Sequence, residues 1–508
     1  MSLALENTKP GVTVLVNTSQ VGTSVKRQPT STAFAVGYSA WGPVDTPTTV
    51  TSWSDAVRQF GSFNANSYLI PFLYIFFNLF KGAQAVVCRV VGAAAAVATK
   101  TLNDRAVAPV ATLKVDAKYP SSTVDVRVTV EAGTAANTVK LTFRSAALGF
   151  KEPYDNFDLS ANAISEINQK SKLVKLTNLA SATAAPNNLP ALLAEATLLG
   201  GNDDFAAINA ARYIGTDDGT TRTGLQAFND ELYGTGQVAI PGITAETVHS
   251  NLIAQAEIYH RLALLDPPLG SDKDDVITMR ELYGTWYGAI AWPWFQALDF
   301  AGSGLLKFYP PSAAMAGACA EADRTVGTHK APANYVIPTA VDVERASNGQ
   351  TQADDGALEA LNGHDINVIL RIPESGIRVY GARVMTADRR VQMMHEIRLL
   401  NLFYYSLKIA YRYAVFSVVN DSLFRQLASV ARTFLRSFYR AGALYDGGSK
   451  KESDAFIAIC NENNNPPEDL EAGRVHVDIG VKISPTAETI IVKIDNVPLS
   501  QDLSVLQQ

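Results

Sequence analysis

Five residues in one short stretch carry side chains that acid–base chemistry uses: Glu321, Asp323, Arg324, His329 and Lys330. A carboxylate near an imidazole can pass a proton, and adjacent cations would tune both groups. The same five also suit a helix end where charges pair structurally, and that simpler reading outweighs catalysis. The remaining candidates are scattered. Six histidines, at 249, 260, 329, 364, 395 and 476, stand at no metal spacing with one another or with Cys88, Cys319 and Cys460. His395–Glu396 lacks the second histidine of a zinc-protease helix, and no GxxxxGK[ST] phosphate loop is present. "GSGLL" at 302–306 lacks the third glycine of a dinucleotide turn, and "GYSAW" at 37–41 fails the last position of a nucleophile elbow. No catalytic residue, cofactor or metal ligand is assigned.

The stronger pattern is basic. Arg425, Arg432, Arg436 and Arg440 recur at steps of seven, four and four on a helix predicted over 422–440. Leu423, Leu427, Val430, Phe434 and Phe438 form its apolar face at three- and four-residue steps. From Arg389 to Arg440 nine Lys/Arg face only Glu396 and Asp421. That is +7 in a chain of net charge −6, leaving −13 elsewhere. A basic, apolar module in an acidic chain implies an oriented surface meeting an acidic partner. A solvated helix face is the plainer reading of such a stripe. Nucleic acid fits poorly, because the stripe borders core residues and the whole chain is acidic.

These residues need elements to hold them. Two strands, 366–372 and 376–383, joined by "PES", precede a helix over 389–418 that is apolar nearly all round. At 508 residues, about three domains are expected. Residues 31–92 read as α/β: "STAFAVGYS" as a strand, a helix capped by Ser52 or Ser54 and ended by Gly61, a buried helix over 69–80, and a strand "AVVCRVV". Residues 96–200 alternate apolar and polar side chains between turns, an antiparallel β module inserted into the chain. From about 203 the α/β rhythm returns, with helices at 246–262 and 273–284. It leads to a small-residue helix over 312–327 that Ser312 can cap, and to a polar loop over 344–363.

Both ends finish in strands. "GVTVLV" (11–16) has no local mate, so it must pair at long range or with another chain. "RVHVDIGVKI" (474–483) alternates strictly, and "TIIVKIDNV" (489–497) follows it. The longest apolar run, 68–80, has 13 residues, short of the ~20 that span a bilayer. With an odd, dispersed set of cysteines and no visible signal peptide, a soluble chain made in a reducing cytoplasm is expected.

Taken in order, these stretches resemble the contractile tail sheath family of bacteriophages and related injection machines. "KPGVTVLV" opens the match. "STAFAVGYSAWGPVDTPTTVTSWSDAVRQFGSF", "VCRVVG" and "PPSAAMAGACAEADRTVGTHKAPAN" continue it, and "LNGHDINVILRIPESGIRVYGAR", "VVNDSLFRQL" and "FLRSFYRAGAL" complete it. Each is weak alone; their order from residue 9 to about 495 is specific. Tyr380 and Phe424 stand where the family often has Trp, and 389–398 has lost much of its Arg-Arg character.

The resemblance implies a non-enzymatic structural protein of α/β and α+β multidomain fold. It would comprise an N-terminal arm (1–25), a discontinuous middle α/β domain (26–95 and 201–350) and an inserted β-rich surface domain (96–200). A C-terminal tube-proximal domain (351–485) and a C-terminal arm (486–508) would complete it. Copies would form hexameric rings stacked helically around a tail tube, in a virion tail made in the bacterial host cytoplasm. Baseplate and tail terminator proteins would be further partners, with no nucleic acid and no membrane insertion. Arm strands at Val12, Val14 and Val16 and at Ile490, Val492 and Ile494 would add to a neighbour's sheet. The acceptor would be the strand bearing Val475, Val477, Ile479 and Val481, with 366–372 as a second candidate. The arginine stripe would face the tube or a neighbour. Two alternatives stay open: a soluble α/β enzyme using 200–340, and the sheath of a tailocin-like machine.

Overall fold

A computed structural model describes residues 25–344 and 355–492. These form two compact units, one of Gln28–Phe403 with 485–492 and one of 25–27 with Tyr404–Ser484.

The larger unit is built on a nine-stranded sheet. Its strands are β1 (Ala33–Gly37), β2 (Thr48–Val50), β3 (Ala85–Arg89), β4 (Gln237–Ala239), β5 (Leu262–Leu265), β6 (Gly288–Trp292), β7 (Tyr335–Val336), β8 (Ile366–Ile372) and β9 (Gly376–Val379). The spatial order is β7-β9-β8-β6-β5-β4-β1-β3-β2. The strands from β8 to β3 run parallel, and β9, β7 and β2 are antiparallel at the edges. Strands covered on both faces must be apolar throughout, hence "AFAVG", "AVVCR", "LALL" and "GAIAW". Alternation sorts their side chains. Ala33, Ala35, Val87, Ala239, Leu264, Ala289 and Ala291 face one core, and Phe34, Val36, Val86, Cys88, Val238, Ala263 and Ile290 face the other.

The small side chains of the first face let the alanine-rich helix 311–325 approach closely. Gly317 on it meets Phe80 so tightly that an added Cβ would lie 2.1 Å from Phe80 Cδ2. Ser52 caps α1 (Trp53–Phe60) by accepting the Asp55 N–H, and Gly61 ends it. The buried segment 69–80 is helical as expected, but it turns from α-helix (Leu69–Tyr74) into a π-helix (Ile75–Leu79).

Ser312 does not cap its helix. The helix α2 (Pro311–Thr325) begins with proline, and Ser312 lies inside its first turn. The cap is supplied from β5: Asp266 accepts the Ser312 N–H (2.7 Å), the Ser312 hydroxyl (2.7 Å) and the Gly242 N–H (2.9 Å). Burial pushes the Asp266 carboxyl up to about 6, against the pull of these three donors. Its folded pKa therefore exceeds its unfolded one, so the folded state holds this proton more tightly. Its contribution to stability falls as pH rises from about 4 to about 6. Asp266→Asn is expected to remove that slope from denaturation midpoints measured across the window. Asp266→Ala, which strands two buried N–H groups, should cost about 2–4 kcal/mol.

Two further expectations differ from the structure. Residues 355–363 are helical where loop was expected, because Leu358 and Leu361 of that helix pack onto the second core. The boundary expected at 351 falls instead at about 404: β8 and β9 are members of the large sheet, so 355–403 goes with the unit that precedes it. Within that unit, 99–197 forms a four-stranded and a three-stranded antiparallel sheet of its own around Leu113, Val128, Leu141 and Phe143. Buried Arg89 at the end of β3 ties it to the turn after β1, donating to Ser39 O (2.7 Å), Gly42 O (2.9 Å) and Pro120 O (2.8 Å).

The smaller unit is simpler. It contains a two-stranded antiparallel sheet, β10 (Phe456–Ile459) and β11 (Asp478–Val481). The 20-residue helix Asp421–Arg440 packs on it, its first turn capped by Asn420. Leu423, Leu427, Phe434 and Phe438 are buried as the periodicity required, and Phe424, Ala428, Ala431 and Leu435 broaden the stripe. The helix preceding it spans Met394–Ala410, shorter than the expected 389–418. These two are α3 (Met394–Ala410) and α4 (Asp421–Arg440).

Candidate functional site

The acid–base candidates do not converge. Glu321 and Arg324 pair with each other three residues apart on the exposed side of α2. Asp323 turns the other way, accepting Thr30 Oγ1 (2.5 Å) and pairing with Arg398 of α3 (2.7 Å). The Arg398 side chain is 1% exposed, so this is a structural ion pair.

The fold has one place where α/β proteins usually bind ligands, the crevice where strand order reverses, here between β1 and β4. It is filled by the chain itself. Ser67 Oγ donates to Tyr38 O (2.5 Å), and the Tyr68 ring lies against Gly242 (φ +76°), where an added Cβ would be 2.3 Å from Tyr68 Cδ2. Tyr68 in turn meets Trp294 edge to face, ring centroids 5.2 Å apart.

The smaller unit presents a different kind of site. Lys482 N–H donates to Ala455 O (2.8 Å), one step beyond the Phe456↔Val481 pair. Antiparallel alternation then turns the backbone groups of Phe456, Ala458, Ile479 and Val481 away from the partner strand. Among the described residues no strand pairs with either outer edge. Only the bridge Leu444↔Ile483 touches the end beyond β11. Phe456 and Ala458 are buried on the face that α4 covers, with Ile479 and Val481 half-buried opposite them. A strand added at the β11 edge would place alternate side chains on the face that bears Ile479 and Val481.

The predicted residues are placed as follows. Ile479 and Val481 lie in β11, while Val475 and Val477 precede it and pack onto the α4 cluster without strand pairing. The second candidate acceptor, 366–372, is β8, which pairs with β6 over 366–368 and with β9 over 369–372. Val12, Val14, Val16 and Ile494 lie outside the described residues. Ile490 and Val492 are 82% and 73% exposed and belong to no strand.

The arginine stripe divides. Arg432 donates through Nε (3.1 Å) and Nη2 (2.8 Å) to the outward-pointing carbonyl of Ala458, and Arg436 pairs with Glu452 (2.8 Å). Arg425 and Arg440 are exposed and have no ion-pair partner among the described residues. Sequence reasoning missed Arg27, whose guanidinium lies 4.2 Å from the Phe438 ring centroid while Nη2 donates to Ser437 Oγ (3.1 Å). It also missed Arg383 and Glu488, which pair 105 residues apart. No periodic signal marks contacts of that range.

This arrangement offers a backbone edge and a cationic surface. Residues 214–385 match the family model described as phage tail sheath protein central domain. Over 272 residues the chain is 24% identical to a protein described as a prophage major tail sheath protein of Pseudomonas aeruginosa (strain UCBPP-PA14). That match covers 53% of this chain and 67% of the relative. Among solved structures, the sheath complex of the extracellular contractile injection system PVC, in its contracted state, is similar across 99% of this chain and 100% of its own. It has a TM-score of 0.57 at 16% identity. The sheath tail protein of Listeria innocua is similar over 86% of this chain and 90% of its own, with a TM-score of 0.58 at 12% identity. Identities this low carry the fold, a mixed α/β multidomain architecture. No helix among the described residues is long and apolar enough to cross a membrane. The chain is similar to the tail sheath proteins of phages and injection systems: residues 214–385 match the family model of their central domain, and its fold is like theirs.

Proposed function

We propose that this chain is a structural subunit of a contractile sheath. Copies assemble as stacked hexameric rings in a helical lattice around a tail tube, and the lattice contracts to drive the tube through a host envelope. Baseplate and terminator proteins meet the sheath at its two ends, within a virion tail. The observation that carries this reading is the two-stranded sheet β10–β11, whose β11 outer edge pairs with no strand among the described residues, in a unit that exposes Arg425 and Arg440. Packed on α4, this small sheet can take a further strand. Extended arms from neighbouring copies, bearing Val12, Val14 and Val16 at one end and Ile490, Val492 and Ile494 at the other, would complete it. Head-to-tail strand addition that does not close generates a helix. Its backbone bonds also persist while domains turn as rigid bodies.

In this reading 404–484 is the tube-proximal domain, 28–95 with 201–403 the middle domain, and 96–200 the outward insertion. Arg425 and Arg440 face an acidic tube or neighbour. Exposed pairs worth about 0–1 kcal/mol each suit a surface that must let the tube go. The likeness to an injection-system sheath supports the same mechanical role in a tailocin-like machine, a difference that neighbouring genes decide.

Electron microscopy of the purified chain at rising concentration tests the proposal. Hollow tubes or stacked rings are expected from the full chain. Deleting residues 1–20 should leave a folded monomer that forms neither. Normal polymerisation by that truncation would sink the arm model.

A further inference from the structure

The segment 485–492 holds no helix or strand, and its apolar side chains Ile490, Ile491 and Val492 are exposed. Among the described residues, one side chain holds it by hydrogen bonds. Glu488 receives Arg383 as a fork, Nε to Oε1 at 3.0 Å and Nη2 to Oε2 at 2.6 Å. The socket is built in advance of this contact. Buried Asn367 of β8 accepts the Arg383 N–H (2.6 Å) and donates to the Arg383 carbonyl (2.8 Å) and to Ile290 O (2.9 Å). Arg383 Nη1 donates to Asn362 O (2.9 Å), and Asp365, itself held by Arg280 (2.8 Å) and Gln392 (2.8 Å), lies 3.7 Å away. The Arg383 side chain is 16% exposed, and its pKa is raised chiefly by Glu488. Beside the pair runs a groove of about 450 Å³ whose walls include Leu358, Val368, Tyr380 and Met393, with Thr486 and Ile490 along it. A rigid, bidentate cationic socket at the edge of an apolar groove is far more than an exposed irregular segment needs for folding.

We infer that the Arg383–Glu488 fork is a clasp that fixes the root of the C-terminal extension to its own subunit. The residues after it then leave from one defined point toward a neighbouring copy. The inference rests on the reading of that extension as an exchanged arm. A fixed origin restricts the volume the arm searches and lowers the entropy lost when it pairs, so the clasp acts as a positioning device for assembly.

The test uses the full chain, below its assembly concentration, with a spin label on Ile490→Cys; the native cysteines Cys88, Cys319 and Cys460 are buried. Glu488→Ala and Glu488→Arg should mobilise the label, with Arg the stronger, while Glu488→Asp retains partial order. Arg383→Lys, which keeps the charge and loses the fork, should loosen it as well. Glu488 lies on an irregular exposed segment, so its variants should melt like the parent. They should assemble only at a concentration raised on the order of fivefold. An unchanged label spectrum in Glu488→Arg overturns the clasp. A mobilised label with unchanged assembly concentration overturns its role in assembly. Deletion of 489–508 in an unlabelled chain separates the two levels: if that chain assembles as the parent does, the arm reading fails, whatever the label reports in the other variants.

Discussion

Ile479→Pro is expected to give a folded chain that does not polymerise, whereas Gly480→Pro, one residue on, should damage the fold itself. The contrast follows from alternation in β11. The Ile479 N–H points away from β10, so proline there removes a donor that only an added strand would use, and its ring obstructs that strand. The Gly480 N–H points toward Ile457, so proline there breaks the ladder inside the subunit. The magnitudes are unequal in kind. An arm making about five backbone bonds of roughly 1 kcal/mol each gains several kcal/mol. Each 1.4 kcal/mol is tenfold in affinity, so losing most of that pairing should remove the lattice at any practical concentration. Gly480→Pro should lower the stability of the 404–484 unit by about 2 kcal/mol through the stranded Ile457 carbonyl. Thermal melts and negative-stain images of both variants decide the matter. Normal tubes from Ile479→Pro would mean that β11 accepts no strand.

Asp323→Ala should be the most damaging single change to the larger unit. It leaves the Arg398 guanidinium buried without a counter-charge, and Arg398 Nε and Nη1 find no acceptor among the described residues. Breaking a buried pair on one side costs about 3–5 kcal/mol, on the order of 10 °C in Tm for a unit of this size. Arg398→Met removes the ion and keeps the bulk. The double variant should therefore be more stable than Asp323→Ala alone, because a buried charge without a partner is worse than none. Denaturant unfolding of the three proteins measures the coupling. A catalytic Asp323 would behave otherwise, its substitution leaving stability nearly unchanged.

Much of the architecture was legible because it is periodic. The apolar runs "STAFAVGYS" and "AVVCRVV" announced strands, and β1 and β3 within them lie in the parallel part of the large sheet. The steps at Leu423, Leu427, Phe434 and Phe438 announced the buried face of α4. The alternation at 475–483 was legible as well, and its apolar members do share a face. What it could not reveal was how little of it pairs: only Asp478–Val481 meets β10, and Val475 and Val477 are held by helix packing instead. The cap of α2 was misjudged for a related reason. Ser312 is the right residue type in a local sense, but Pro311 starts the helix and a carboxylate 46 residues earlier supplies the cap.

The stretch 366–440 looked like one module because its strands and helices are continuous in sequence. The structure divides it at about 404, since β8 pairs with β6 and β9 with β8 in the large sheet. The arginine stripe divides in the same way: spacing placed four cations on one helix, and only three-dimensional neighbours distinguish Arg432 and Arg436, already engaged, from Arg425 and Arg440. The sequence alone determined the kinds of element, the core faces, the inserted β module and the resemblance to a sheath. These depend on short-range periodicity and on the order of motifs along the chain. Tertiary structure alone decided that Asp323 is half of a buried ion pair, that β8 is built into the large sheet while β11 keeps an outer edge unpaired among the described residues, and that Glu488 is gripped by Arg383. Each of those is a pairing between residues far apart in the chain, chosen by burial and hydrogen-bond geometry that no local pattern encodes.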